Sequence, residues 1–376
     1  MKLKMHIAAR LALVAALGIG GTAAAQERSH ITDNNETRIV DDNGRRRMEI
    51  RSRGAVEFND AGDWVTSVAA GGQFTVEERD GGSERRIEFR PGDRGPRVRY
   101  WVNGDERALD AAGRAWAQAL VLRAVRESGL GADRRVARIR ARSGVNGVLA
   151  EIGRIRSDVG RRMYYRALLG SGSLSAGEFA RVMEDVGRRM GSDVEARLVL
   201  TEAIDRAGDG ARMAAVLRAA ESIDSDVETR LVLNHAAQRH RLSDAASRQA
   251  FFRAVDGMGS DVERRLVLNA VADDGLADGA SREAFFRAVS EFDSDVERRI
   301  VLTQILRDAS EATAISAIQS AGEMNSDVEK RIVLTQVPAG RLRSARVSAA
   351  YRRVADAMSS DVERRMVMRH LEGGRR

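Results

Sequence analysis

The side chains best placed to do chemistry come as a recurring pair. A serine stands immediately before an aspartate at Asp158, Asp193, Asp226, Asp261, Asp295, Asp327 and Asp361. A hydroxyl beside a carboxylate has the residue types of a nucleophile and its activating base, so a single pair would be a candidate active site. Seven pairs are a different signal. Successive aspartates lie 35, 33, 35, 34, 32 and 34 residues apart, each is followed by Val, and each has Arg four positions on. A reaction needs one such site, whereas a helix start is needed once per repeat. The pairs therefore read as helix N-caps, not as catalytic groups.

Other chemistry finds no framework. Beyond the first 25 residues the histidines are His30, His235, His240 and His370, and none belongs to a His-Glu-x-x-His zinc motif. His235 and His240 are five apart and point to different faces of a helix, which makes them ordinary surface positions. With no cysteine, disulfides, thiolate metal sites and cysteine nucleophiles drop out together. Phosphate loops, Gly-x-Ser-x-Gly elbows and dinucleotide fingerprints are missing as well. The expectation is a chain that is not an enzyme and carries no cofactor or metal.

Each position of the repeat has a physical role. In Ser260-Asp261-Val262-Glu263 the serine is expected to cap the first turn while Glu263 reaches back to the cap amide, forming a capping box. Six of seven copies have this Glu; the first has Gly160. Asp and the Arg four residues later suit an i,i+4 ion pair worth about 0.2 to 0.5 kcal/mol. The sets are Ser192, Asp193 and Arg197; Ser225, Asp226 and Arg230; Ser260, Asp261 and Arg265; Ser294, Asp295 and Arg299; Ser326, Asp327 and Arg331; Ser360, Asp361 and Arg365. Stacked repeats would line these pairs into a column, each Arg close to the Asp of its neighbour. Behind the Arg comes an apolar triplet such as Leu198-Val199-Leu200 or Ile300-Val301-Leu302, expected to pack on two sides of its helix. Ile155, Met190, Ile223, Met258, Phe292, Met324 and Met358, three before each Asp, are expected to seal the turn between helices.

These elements define a mostly α fold: an α-solenoid of helix-pair repeats of about 34 residues, preceded by a small all-β module. The expected organisation is a signal peptide over 1–25, a linker over 26–36, the β module over 37–104, a helical connector over 105–156 and the seven repeats over 157–376. The β module rests on alternating stretches such as 47–51, 73–77, 86–89 and 97–101, with turns at Asp80-Gly81-Gly82 and Asn103-Gly104. Lys2 and Lys4, the uncharged run Leu11–Ala25 and its closing Ala23-Ala24-Ala25 have the layout of a secretory leader. That run is shorter than the roughly 20 residues a membrane-spanning helix needs, so export to the periplasm or medium is expected, without stable membrane insertion once the leader is removed. Net charge is +7, and Lys2, Lys4 and Arg10 account for three of it, leaving +4. Only three of the 62 basic residues are lysine; a GC-rich coding sequence explains this, with polyanion binding as the alternative. Aromatic content of 4% gives bases little to stack on, so nucleic acid is not the expected partner.

Just past the apolar triplet the repeats diverge, at Thr201 and Glu202, Asn234 and His235, Asn269, Thr303 and Gln304, and Thr335 and Gln336. Solenoids hold structural positions constant and vary those lining one face. This stripe is the candidate binding surface, for a protein or peptide of the cell envelope. An anionic envelope polymer on arginine-rich surfaces, or an envelope hydrolase, is the alternative.

The 34-residue spacing resembles tetratricopeptide arrays without their Trp, Tyr and Pro signature, and it is shorter than HEAT or armadillo repeats. A closer resemblance is carried by Gly54-Ala55-Val56-Glu57-Phe58, by Phe74-Thr75-Val76-Glu77-Glu78-Arg79, by Tyr100-Trp101-Val102-Asn103-Gly104 and by the Ser-Asp-Val-Glu-Arg-Arg repeats. These look like the extracytoplasmic extension of antirepressor-type membrane zinc metallopeptidases, the β-lactam sensors. The resemblance covers nearly the whole chain beyond the leader and implies a sensory or interaction module. Membrane helices and His-Glu-x-x-His are missing here, so peptidase activity is not implied.

Overall fold

The structure, a computed structural model, describes residues 27–33, 36–42, 46–240, 242, 244–272, 276 and 278–375. The expected leader lies outside the described residues. The chain divides into two compact units, 1–121 and 122–376.

Nine strands are described in the first unit: β1 (Glu27–Asp33), β2 (Glu36–Asp42), β3 (Arg46–Arg53), β4 (Val56–Phe58), β5 (Val65–Val68), β6 (Gln73–Asp80), β7 (Ser83–Arg90), β8 (Arg97–Val102) and β9 (Asp105–Arg107). Seven form an antiparallel sheet in the order β1-β2-β3-β6-β7-β8-β9, and β4 pairs with β5 separately. Here the expected linker is corrected: Glu27–Asp33 is a strand laddered to β2. A backbone ladder can recruit a segment whose own side-chain pattern carries no period, because strand preference depends on context.

Alternation fixes which side of the sheet is buried. Ile50, Val76, Ile87 and Tyr100 are register partners across four strands and form the core face. One residue over, Glu49, Glu77, Arg86 and Trp101 lie on the reverse face, where the Trp101 ring has Arg86 at 3.9 Å and Arg99 at 4.7 Å. The two expected turns form. Gly81 (φ 56°) and Gly82 (φ 90°), like Asn103 (φ 50°) and Gly104 (φ 89°), are two-residue hairpin loops with φ positive at both positions. The core face is closed by the β4–β5 hairpin, through Phe58 on Phe74 and Trp64 on Phe89, and by helix α1 (Ala111–Ser128), whose Trp116 indole donates to Glu78 at 3.1 Å.

The second unit is a stack of seven helix pairs. The Ser-Asp helices are α3 (Asp158–Gly170), α5 (Asp193–Ala207), α7 (Asp226–Arg239), α9 (Asp261–Val271), α11 (Asp295–Ile305), α13 (Asp327–Leu334) and α16 (Asp361–Arg375). Their partners are α2 (Ala132–Ile152, broken at Gly144), α4 (Ala176–Arg189), α6 (Gly210–Ala220), α8 (Ala245–Asp256), α10 (Gly279–Ser290), α12 (Glu311–Gly322) and α15 (Ala345–Asp356), with a single turn, α14 (Ala339–Leu342), before the last pair. Each Ser-Asp helix neighbours the next, and the partners do likewise, so two helical layers enclose one continuous core. All seven apolar residues three before the Asp are buried, as expected for turn seals.

The triplet helices pack on two sides, but the triplet members are not buried equally. Their second and third members, such as Val232 and Leu233, are buried, except the half-buried Met368; the first members reach water to differing degrees, Leu198 and Leu231 at 38% exposed, Met366 at 44%, and Leu266, Ile300 and Ile332 half-buried. The Ser-Asp helices pack against their partners and their lateral neighbours, and no described element covers their third side. No described helix is long and apolar enough to cross a membrane.

Candidate functional site

Each Ser-Asp corner is built by two repeats at once. The serine oxygen accepts the amide three residues on, as from Glu263 to Ser260 at 3.4 Å. The serine's own amide, which a capping box would give to Glu263, donates instead to the aspartate of the preceding repeat. These bonds are Ser192 to Asp158 (2.8 Å), Ser225 to Asp193 (2.8 Å), Ser260 to Asp226 (2.6 Å), Ser294 to Asp261 (2.7 Å), Ser326 to Asp295 (2.7 Å) and Ser360 to Asp327 (2.7 Å). For the first repeat Glu127, near the end of α1, takes the Ser157 amide at 2.7 Å. Burial raises the Asp327 carboxyl, but the Ser360 amide and the Lys330 ammonium outweigh it and hold the group below its ordinary value.

With the cap amide taken, the glutamate turns sideways. Glu195, Glu228, Glu263, Glu297, Glu329 and Glu363 pair with Arg162, Arg197, Arg230, Arg265, Arg299 and Arg331 of the preceding repeat. Three expectations are thereby corrected. The repeat serines give their amides elsewhere and do not complete capping boxes with their glutamates; among the described residues a capping box forms at Ser175 with Glu178 on α4. Asp does not pair with the Arg four residues on. Where it meets a cation of its own helix, that cation is three on, as in Asp158 with Arg161 (2.7 Å) and Asp261 with Arg264 (3.5 Å). The inter-repeat column exists, but joins Arg to Glu. Energies explain the choice: an i,i+4 pair contributes about 0.2 to 0.5 kcal/mol, whereas a covered amide without an acceptor costs about 1 to 3 kcal/mol. The aspartate is used where it matters more.

The arginines three after the Asp escaped the sequence reading, although the Arg-Arg doublet following Glu was their visible trace. Arg264 and Arg298 are each only 6% exposed. Arg264 donates to the carbonyls of Met258 and Glu291, and Arg298 to those of Ser290 (2.7 Å) and Phe292 (3.0 Å), satisfying chain ends where the partner helices finish.

The structure sets the candidate stripe residues at equivalent positions of successive repeats, Thr335 and Gln336 just past the end of α13, and shows many already engaged. Thr201 and Thr335 donate to carbonyls four residues back (2.8 and 2.9 Å), and Thr303 to the carbonyl of Ile300 (3.0 Å). Glu202 pairs with Arg206 at 2.9 Å, His235 with Asp205 at 3.0 Å, and Gln304 donates to the Asn269 carbonyl at 3.3 Å. Gln336 is exposed. The side-chain oxygens of Asn234 and Asn269 are buried without a donor.

Beside this stripe runs a second set of rows. The Val after each Asp is exposed in six repeats: Val194 42%, Val227 45%, Val262 45%, Val296 45%, Val328 46% and Val362 51%. Four residues on, and so on the same helix face, stand Leu198, Leu231, Leu266, Ile300, Ile332 and Met366, exposed or half-buried. The signal was present in the sequence as the third letter of Ser-Asp-Val, which has no capping or pairing duty.

No protein family model, curated protein or solved structure matches this chain. Among the described residues no cluster of three or more His, Asp and Glu side chains is placed to hold a metal ion. Glu151 is a buried carboxyl, 4% exposed. Burial pushes its carboxyl up, yet hydrogen bonds from Arg126 (2.7 Å) and Arg135 (2.7 Å) hold it down at about 2. These bonds tie α2 to the end of α1.

Proposed function

We propose that this chain is an exported, non-catalytic scaffold or sensory module of the cell envelope that binds a protein or peptide along its helical stack. The observation supporting this is the exposed valine row with the exposed or half-buried Leu/Ile/Met row beside it, repeated on six successive Ser-Asp helices next to a row of varied polar residues. Exposed apolar surface continued over this length marks interaction sites on soluble proteins. The resemblance to sensor extensions agrees with the same reading. Its test is affinity capture from an envelope extract with the full chain, comparing wild type with V227E and with an N234A/N269A/T303A variant. One partner retained by wild type and lost by both variants is the expected result; a catch unchanged by either overturns the reading.

A second reading, an anionic envelope polymer as ligand, has its own observation. A groove of about 360 Å³ between α8 and α10 is lined by Arg248, Arg253 and Arg287 together with Phe252 and Asp256. Binding there would weaken strongly with modest salt, because exposed charges separated by about 10 Å are largely screened near 0.1 M.

A further inference from the structure

The exposed valine calls for an explanation that stability does not supply. A β-branched residue in an exposed helix is less favourable than Ala, the side chain is about half in water, and neighbouring positions have drifted: the residue three after the Asp is Arg, Ala, Thr or Lys. The valine is the same in all seven copies. Resting on the scaffold reading above, we infer that the Val and Leu/Ile/Met rows of the Ser-Asp helices are a docking track for an amphipathic α-helix of a partner protein, lying across the repeats with apolar residues in heptad spacing.

Charge narrows the occupant first. Between each two neighbouring Ser-Asp helices sits one Arg–Glu pair, its arginine 21 to 28% and its glutamate 16 to 18% exposed at the side chain. Every interval is thus already neutralised. The adjoining row offers Thr201, Asn234, Asn269, Thr303 and Thr335, uncharged over five successive repeats, and becomes charged only at the ends of the stack, at Arg166 and Arg369. A seam without net charge is complementary to an uncharged, apolar partner face, not to an acidic or basic tail.

Pitch narrows it further. Packed helices lie about 8 to 10 Å apart, so each row presents an apolar side chain about every 10 Å. Seven residues of α-helix rise about 10.5 Å, so a heptad-spaced seam stays in step with the repeats. A β-strand returns to the same face about every 6.6 or 13 Å and falls out of step. A polyproline helix repeats at about 9.3 Å, but such ligands are read by aromatic-lined grooves, and neither row has an aromatic residue. A helix also brings its backbone already hydrogen-bonded, which suits a surface whose threonines spend their hydroxyls on their own helices.

The experiment uses the full chain and two labelled peptides of about four heptads: one with leucines at the first and fourth positions of each heptad, the other of identical composition with leucines spread evenly around the helix. Binding is followed by fluorescence anisotropy for wild type and V262E/V296E. Both valines lie in a first turn, where Glu suits the helix dipole, so the variant should melt with wild type. The seamed peptide is expected to bind wild type at least tenfold more tightly than the even peptide, to lose at least tenfold on V262E/V296E, and to change little with salt. Failure of the seamed peptide to bind, equal binding of the two peptides, or indifference to the substitutions overturns the inference. So does a wild-type dimer in sedimentation that the substitutions dissolve, since the occupant is then a second copy. If the peptides fail while the captured envelope partner still depends on V227E, the scaffold reading stands and only the helix falls.

Discussion

The aspartate is the residue that turns a row of helices into one body. Its carboxylate occupies the amide that starts the next repeat, as Asp261 does for Ser294 at 2.7 Å. D261A is expected to lose about 1 to 3 kcal/mol of stability, the cost of a covered amide without an acceptor, measured by urea unfolding. D361A is the internal control. Asp361 pairs with Arg364 and its side chain is 70% exposed, so removing it should shift stability by less than about 0.5 kcal/mol. Equal losses at both positions would mean that the aspartates act through their own helices. Gly160, where the first repeat departs from Glu, has an equally local cause: a Cβ there would stand 2.5 Å from the carbonyl oxygen of Arg126 and 2.9 Å from that of Glu127. The first helix starts under the end of α1, which leaves room only for hydrogen.

At the scale of elements, the start of the stack depends on an ion cluster. Glu151, after the break in α2 at Gly144 (φ 63°), is held by Arg126 of α1 and by Arg135 before that break, with Arg154 at 3.3 Å. Its folded value of about 2 lies below the ordinary 4.5. A depressed carboxyl stabilises the fold fully above the unfolded value and loses that contribution as pH falls toward the folded one. Wild type is therefore expected to lose stability between about pH 4.5 and pH 2 in excess of E151Q. Guanidinium denaturation at stepped pH reads the difference, and parallel curves for the two proteins would remove Glu151 from the acid response. The neighbouring Tyr164 is fully buried with no partner for its hydroxyl. Burial holds that group protonated far into alkali, and it contributes no titration in this window.

Over the whole stack, repeats are coupled by the same few bonds at each junction: an Asp to a serine amide, an Arg to a Glu, and shared apolar core. Stability is then a sum of repeat and junction contributions. Cutting one junction in the middle should expose its weakness. With D261A, hydrogen exchange is expected to rise most in α9 and α11, which flank the cut, while α3 and α5 keep their protection. A uniform rise along the stack would show that it unfolds as one unit.

What could be read from the sequence follows from which interactions are local. Seven Ser-Asp-Val copies about 34 residues apart determine where each helix starts, that helices come in pairs, and that the stack runs to seven. Alternation at 73–77 and 86–89 does the same for the strands, since both periods are properties of the backbone. Tertiary structure decided everything that depends on a neighbour repeat. Asp226 can serve the Arg four residues on or an amide 34 residues away, and sequence spacing favours the first. The structure shows the second, because only in the stack is the Ser260 amide covered and in need of an acceptor. That choice turns Glu263 toward Arg230 and leaves Val262 facing water. A triplet of apolar letters announces packing on two sides, and only the packing shows which of its members stays in water. The lateral face of each helix was legible in its letters, and its open face was not.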